Sequence, residues 1–506
     1  MQAGHESMIR KITLSPLVIF ASVTLIFTGE LVSGTNLYFA SMASLAILFC
    51  CLTYNMLGGM GSISGIAFAR FALSTLVISQ IGKVLVLERA DQNLDTPLVV
   101  ISVYALYFFS AMVGVMLFSR LRLPLPKPVE PGTPTQSRYL YVVSFAAGLV
   151  AVVLSFMSAA QGSTGKTSLA NGVSLLLGYF LPFSLVLAVD HRIRSTEGRH
   201  CFGWMALWPA LTLELGGFLG ASRTGFVEPF AIIFLAGYLR DFKFGKRHLA
   251  IATVLVAGFF LFVSPFYLYA RSWRENPSPI ELATTMIETL QQAPSQWSTI
   301  KYQVGAQALV NTHVVNYFSS PGAVTLNRFA LIGPDSTLIS VCSGGFHYAF
   351  TSLKLDLLSQ IPRILYRNKP DAGSGLYLGQ LDGQEEGFET TTNSTITPIA
   401  DSYGAFGWVG VIVFAFLMLP AVLIVYESIF DMSKPWGTVA AVYLLIRFTE
   451  GSMGTIILGS MIKDPLYILC LSWGSAWIVR MIPATGDSFM VGKTLQTTVA
   501  PSGTNV

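Results

Sequence analysis

Charge is what this chain has least of. Only 11% of its 506 residues are Asp, Glu, Lys or Arg, whereas soluble chains carry about a quarter. So few charges cannot clothe a water-facing surface, which excludes a soluble multidomain protein. The net charge is a modest +4, and no nucleic-acid partner is expected. Cysteine is scarce too: Cys50, Cys51, Cys201, Cys342 and Cys470. Only Cys342 falls in the one long polar stretch, so no disulfide can form within it. No Cys/His spacing suits zinc, and neither a metal nor a cofactor is expected. The first apolar run begins near Leu14 and lacks a small-residue cleavage site, so it reads as a retained helix and not a signal peptide. No repeat of solenoid period and no inverted transporter repeat is visible.

What the chain does have is apolar runs. Hydrophobic residues make up 53% of it, and the mean hydropathy is +0.60. A helix crossing the hydrocarbon needs about 20 residues, and about twelve such stretches can be drawn. They cover 14–30, 35–56, 63–86, 97–119, 139–159, 172–190, 203–221, 224–239, 249–269, 405–427, 436–456 and 463–481. Loops 120–138, 191–202 and 240–248 carry Arg120, Arg122, Lys127, Arg138, Arg192, Arg194, Arg199, Arg240, Lys243, Lys246 and Arg247. With twelve spans and a cytoplasmic N-terminus all three lie inside, as basic loops should. Residues 270–404 then lie outside.

The expected fold is therefore all-α and polytopic, with about twelve transmembrane helices and one large outer loop containing short helices. Residues 1–269 hold the first nine spans, 270–404 the loop domain, 405–482 the last three spans, and 483–506 a disordered cytoplasmic tail. Within the loop, Ser278-Pro279-Ile280-Glu281 reads as a helix start, followed by an amphipathic helix with Leu282, Met286 and Leu290 on one face. A second helix is expected over about 347–361, ended by Pro362. The Gly- and acid-rich stretch 371–393 reads as a mobile lid.

One apparent phosphate loop, Gly162 to Ser168, is set aside. Ala160 stands where its first glycine should be, and the segment joins two membrane helices. The stronger signal is Gly220-Ala221-Ser222-Arg223-Thr224-Gly225, an arginine amid small residues at the outer membrane face. A charge there is costly unless it is paired or borders a wet cavity, and Arg223 either meets Glu214 or Glu228 or faces a ligand. Arg271 and Arg274 follow on the same side. An arginine cluster outside runs against the basic-inside pattern, and an anionic group at that surface, lipid phosphate included, would account for it. Arg70, Glu214, Glu228, Arg447 and Glu450 are further intramembrane charges, and Arg447 and Glu450 share a helix face and suit each other as a pair. His313, His347, Asp335 and Asp401 are loop candidates for a base.

Three features together resemble the Wzy-type O-antigen polymerases and the related O-antigen ligases. One is Gly220-Ala221-Ser222-Arg223-Thr224-Gly225, similar to the small-Ser-Arg-small segment of a central membrane helix in those proteins. Another is the single large outer loop. The third is Thr397 to Gly410, which looks like the stretch closing that loop and entering a helix through a G-x-x-G pattern, here Gly407-Trp408-Val409-Gly410. The resemblance implies a metal-independent glycosyltransferase of the bacterial inner membrane, with both termini cytoplasmic and the loop periplasmic. It would join repeat units carried on undecaprenyl diphosphate, with a chain-length regulator protein as partner and the bilayer as its surroundings.

In that scheme Arg223 and Arg271 stabilise the leaving diphosphate and Asp401 accepts the hydroxyl proton. Arg274, Arg70, Glu228, His313, His347 and Tyr403 contact substrate, and Trp273, Trp297, Tyr302 and Tyr317 offer stacking faces to sugars. His313 and His347 lack the context of the ligases' loop histidine, which favours polymerase. An O-antigen ligase, a transporter of lipid-linked oligosaccharide and a structural membrane subunit without catalysis are the rival readings. The transporter predicts two matching halves, against which the one asymmetric loop speaks, and the structural subunit leaves the outward arginines unexplained.

Overall fold

A computed structural model of the chain describes residues 13–160 except 132, 173–219 except 175, 223–258, 284, 287–288, 291, 317–319, 327, 330–361, 374–381, 396–447 and 451–481. Among these, all regular structure is helical. The helices are α1 (Pro16–Val32), α2 (Leu37–Met56), α3 (Ile63–Leu85), α4 (Pro97–Phe118), α5 (Pro134–Ala160), α6 (Phe180–Ser195), α7 (Trp204–Leu219), α8 (Arg223–Leu239), α9 (Lys246–Gly258), α10 (Ile332–Ser343), α11 (Thr351–Gln360), α12 (Ser374–Leu381), α13 (Pro398–Ile429), α14 (Pro435–Arg447) and α15 (Thr455–Met481).

Local chemistry sets where they begin. Ser15 caps α1 by accepting the Val18 N–H at 3.2 Å, with Pro16 as first residue. Asn36 caps α2 and Ser62 caps α3, the latter accepting the Gly65 N–H at 2.8 Å. Proline also opens α4, α5, α13 and α14, where its missing N–H costs nothing.

Among the described residues, helices overlap all twelve apolar stretches, and six are long and apolar enough to cross a membrane: α2, α3, α4, α5, α13 and α15. The others that overlap those stretches run 13–17 described residues. The break expected at Ser222-Arg223-Thr224 falls on residues 220–222, which lie outside the described residues, between α7 and α8.

The core gathers around α4. Its Tyr104, Tyr107 and Phe108 are fully buried and meet Phe68 and Phe71 of α3 and Phe414 of α13. A second knot stacks Phe183 of α6 on Trp436 of α14, ring centroids 3.6 Å apart.

The two ends of the bundle differ in kind. At one end the basic loops come together. Arg240, just past α8, donates to Asp190 of α6 at 2.6 Å and to the Met432 carbonyl at 3.5 Å. The extended segment 121–131 lies across the same end, with Leu123 N–H on Ser428 Oγ, Val129 N–H on Ser472 Oγ, and Arg122 beside Glu427. All three loops thus share one end, as the charge pattern requires. The opposite end carries residues 317–319, 330–361, 374–381 and the start of α13.

Candidate functional site

Three buried carboxylates organise that opposite end. Asp335 of α10 accepts the Tyr104 hydroxyl at 2.5 Å and the Thr397 N–H at 2.9 Å, and the Thr397 hydroxyl also donates to it. Burial raises the Asp335 carboxyl to about 6, against the opposing pull of these donors. Asp401 of α13 accepts the Tyr348 hydroxyl at 2.7 Å and the Met453 N–H at 2.6 Å. Asp356 of α11 accepts the Ser374 N–H at 2.9 Å and the Ser452 hydroxyl. The three tie α10, α11, α12 and α13 to α4 and to the segment opening α15. Asp335 and Asp401 are fully buried and Asp356 nearly so. Among the described residues none of the three forms an ion pair, so hydroxyls and backbone N–H groups carry the whole burden.

How α10 reaches so deep follows from α3. A π turn over Leu73–Val77 loosens the regular ladder, and the Ser74 carbonyl accepts the N–H of Leu331 at 3.4 Å. Arg70 stands half-buried one turn before Ser74.

The G-x-x-G pattern has a physical reason at each glycine. α13 is kinked at Phe406 and Gly407, where Gly407 takes φ +61°. A Cβ on Gly410 would stand 2.1 Å from the Ser402 carbonyl oxygen, so only glycine allows the approach. The kink leaves upstream carbonyls without helical partners. Tyr348 N–H takes the Gly404 carbonyl at 3.2 Å, and Ala349 N–H the Ala405 carbonyl at 3.1 Å. That pairing explains a difference from expectation: residues 347 and 348 are non-helical, Ala349 turns with φ +50°, and the helix expected from 347 begins at Thr351. In the stretch expected to be a lid, residues 374–381 form α12, its start fixed by Asp356.

Of the expected site residues, the structure brings together Asp401, Tyr403 and His347. His347 is exposed, with Nδ1 3.3 Å from the Gly404 carbonyl and its ring edge-on to Tyr403. Tyr403 is buried and meets Trp408. Asp401 has both oxygens engaged and no exposure, so in this arrangement it braces the junction. Arg223 is the first described residue of α8, and its side chain lies outside the described residues. Glu228 is half-buried one turn further on. Arg271, Arg274, His313, Trp273, Trp297, Tyr302 and the helix expected after Ser278 lie largely or wholly outside the described residues, as do Glu450 and the Arg447 side chain. Tyr317 is fully buried, and the ammonium of Lys83 lies 4.5 Å from its ring centroid, so that face is taken. Cys342 is buried, its thiol pushed up to about 11 mainly by burial, and the cysteines are free. No described group of three or more His, Cys, Asp or Glu is placed to hold a metal ion.

Sequence reasoning passed over Tyr348, Asp356, Glu30 and Lys83. The last two were legible as charges within otherwise apolar helices. Tyr348 and Asp356 carried no local signal, because their partners are 53 and 96 residues away.

Helices fit to cross a bilayer, joined at one end by buried carboxylates, define an all-helical membrane protein. Compared with protein families, with curated proteins and with solved structures, the chain finds no match.

Proposed function

We propose that the protein is a Wzy-type glycosyltransferase that polymerises glycan repeat units carried on undecaprenyl diphosphate at the outer face of the bacterial inner membrane. On this proposal all twelve helical stretches cross, the basic loops are cytoplasmic, and residues 270–404 are periplasmic.

The observation that carries it is the position of Arg223. α8 runs from Arg223 to Leu239, and its far end is held among the basic loops by Arg240. Arg223 therefore lies at the end of the bundle that also holds His347, Tyr403 and the kinked start of α13. Arginine offers a planar two-pronged donor with a permanent charge. That suits a diphosphate, whose charge grows as the glycosidic bond breaks. Arg271, Arg274, Arg70 and Glu228 are assigned to the same donor and acceptor groups, and Asp401 supports the site through Tyr348.

A second reading, ligation to a different acceptor, draws on exposed His347 beside the kink, because the ligases use a loop histidine.

The test is long-chain glycan made in cells at matched expression. Arg223→Ala is expected to abolish it, since loss of one charge-stabilising donor costs ~10²–10³ in rate. Arg223→Lys is expected to restore part, as charge returns without the fork. Wild-type chain lengths from Arg223→Ala would overturn the proposal. Polymer that is made but not transferred in His347→Ala would favour ligation.

A further inference from the structure

Glu30 is the most anomalous side chain in the structure. It sits near the end of α1, is fully buried, and neither carboxylate oxygen has a hydrogen-bond partner. Buried polar groups are nearly always satisfied, so one that is not points to something the protein binds there. Gln80 of α3 is likewise fully buried, and its amide makes no hydrogen bond of good geometry.

The two converge. α1 and α3 touch closely just beside Glu30, since a Cβ on Gly29 would stand 2.4 Å from Val84 Cγ1. Gln80 lies one turn before Val84. Both Glu30 and Gln80 act on the hydroxyl of Tyr317, which burial and then the Glu30 charge push well above the usual phenol range. That hydroxyl itself donates to the Ala90 carbonyl at 2.8 Å, leaving its oxygen lone pairs free to accept or ligate.

Charge in this nest does not balance. Lys83 is fully buried and pairs with Glu88 at 2.8 Å, under the rings of Tyr317 and Phe318. Arg89 and Asp91 pair with each other at 2.8 Å. These are the charged groups facing Glu30 from α3 and the following loop; their formal charges cancel, Asp91 lies near enough to repel the Glu30 charge, and that charge is left over. Asp335, Asp401 and Asp356 are held by hydrogen-bond donors, and a buried carboxylate that lacks them, as Glu30 does, needs a positive charge.

We infer that Glu30 and Gln80 form a buried site for one monovalent cation, a sodium ion or a proton, whose occupancy fastens the outer segment 317–319 onto α1 and α3. Carboxylate, amide and phenol oxygens are the hard donors a sodium ion takes, and a proton neutralises the carboxylate with no other ligand. The anchoring follows from geometry. Residues 317–319 reach the bundle through Tyr317 on Ala90, through Asn93 donating to the Tyr317 carbonyl at 3.0 Å, and through Ser319 N–H on Glu88 at 3.1 Å. An uncompensated charge at Glu30 would drive this nest to open to water. The inference does not depend on the reaction proposed above.

The test uses the full-length protein in detergent micelles. Its unfolding temperature is measured in sodium chloride and in choline chloride at equal ionic strength, at pH 8 and pH 6. Hydrogen exchange is read over the peptide containing 317–319. The expected result is an unfolding temperature several degrees higher, with greater protection at 317–319 relative to the intrinsic exchange rate at each pH, in sodium or at the lower pH. Glu30→Gln should be stable, lose the sodium dependence and the Glu30 share of the acid dependence, and keep only the part that comes from Asp335. A sodium response lost in Glu30→Gln identifies a sodium ion, and an acid response alone, reduced in Glu30→Gln, identifies a proton. Responses that are the same in wild type and Glu30→Gln, or absent from both, overturn the inference. Should Glu30→Gln fail to fold, Gln80→Leu decides, with a sodium midpoint raised about tenfold, or an acid response weakened, if the amide is part of the site. An unchanged response in Gln80→Leu would then count against it.

Discussion

The two ends of the bundle solve one problem, the holding of acidic side chains, by different means. At the basic-loop end each paired carboxylate meets arginine: Asp190 takes Arg240 and Arg194, and Glu427 takes Arg122. At the opposite end Asp335, Asp401 and Asp356 meet only hydroxyls and backbone N–H groups. The first arrangement balances charge and tolerates exposure. The second leaves charge unbalanced in a dry site and depends on every donor being in place. It gives a geometry locked by direction, suited to positioning a kinked helix and the loop that covers it.

That contrast is sharpest at Asp335. Asp335→Ala leaves the Tyr104 hydroxyl and both Thr397 donors buried without an acceptor, and a loss of about 3–5 kcal/mol in folding stability is expected. Asp335→Asn should cost less, because the hydroxyls of Tyr104 and Thr397 can turn to accept.

Stability should also depend on pH. The folded pKa of about 6 lies above the usual 3.8, so the folded state holds the proton more tightly. The stabilisation from neutral Asp335 is fully present below about pH 4 and is lost as pH rises through 6, about 3 kcal/mol in total. Asp335→Asn should remove this component. Unfolding curves at pH 4, 6 and 8 check both points, and an unchanged slope in Asp335→Asn would break the comparison.

A smaller effect is expected at Tyr348. Tyr348→Phe keeps the ring, which packs on Tyr377, and deletes the donor to Asp401. Asp401 retains the Met453 N–H, so about 1–2 kcal/mol should be lost. Faster hydrogen exchange should appear at Tyr348 and Ala349, whose N–H groups hold the kink carbonyls. Exchange confined to some other segment would mean that Tyr348 does not hold the kink.

How far the sequence foretold these ends depends on the range of the interaction. Apolar runs and caps are local, so the helices could be read directly. Basic loops at one end followed from charge alternation along the chain. The glycines of 407–410 were visible as a pattern, and their reasons only as structure: a positive φ at one and a carbonyl in contact at the other. The carboxylate ties were not readable. Asp335 looked like a loop acid, because nothing near it in sequence announces Tyr104 231 residues away or Thr397 62 residues away. Composition drew twelve crossings, whereas six helices among the described residues have both the length and the apolarity to cross.

The smallest effect should come from Arg194. It sits one helical turn after Asp190, with Nε at 3.0 Å, but its side chain is 70% exposed. Water and salt already screen it, and holding a long side chain in place costs entropy, so Arg194→Ala should lose at most about 0.5 kcal/mol. Its neighbour Arg240 reaches the same carboxylate at 2.6 Å with only 10% exposure. Arg240→Ala strands a buried Asp190 with one exposed partner, and that should cost about 3–5 kcal/mol. The two substitutions remove the same charge from the same carboxylate and differ only in burial. Unfolding of both variants at low and high salt separates the effects: the Arg194 loss should vanish at 1 M salt, where screening reaches about 3 Å, and the Arg240 loss should persist. Equal losses would show that the basic-loop end is held by net charge and not by the one buried pair, and its contrast with the carboxylate junction would then be one of degree.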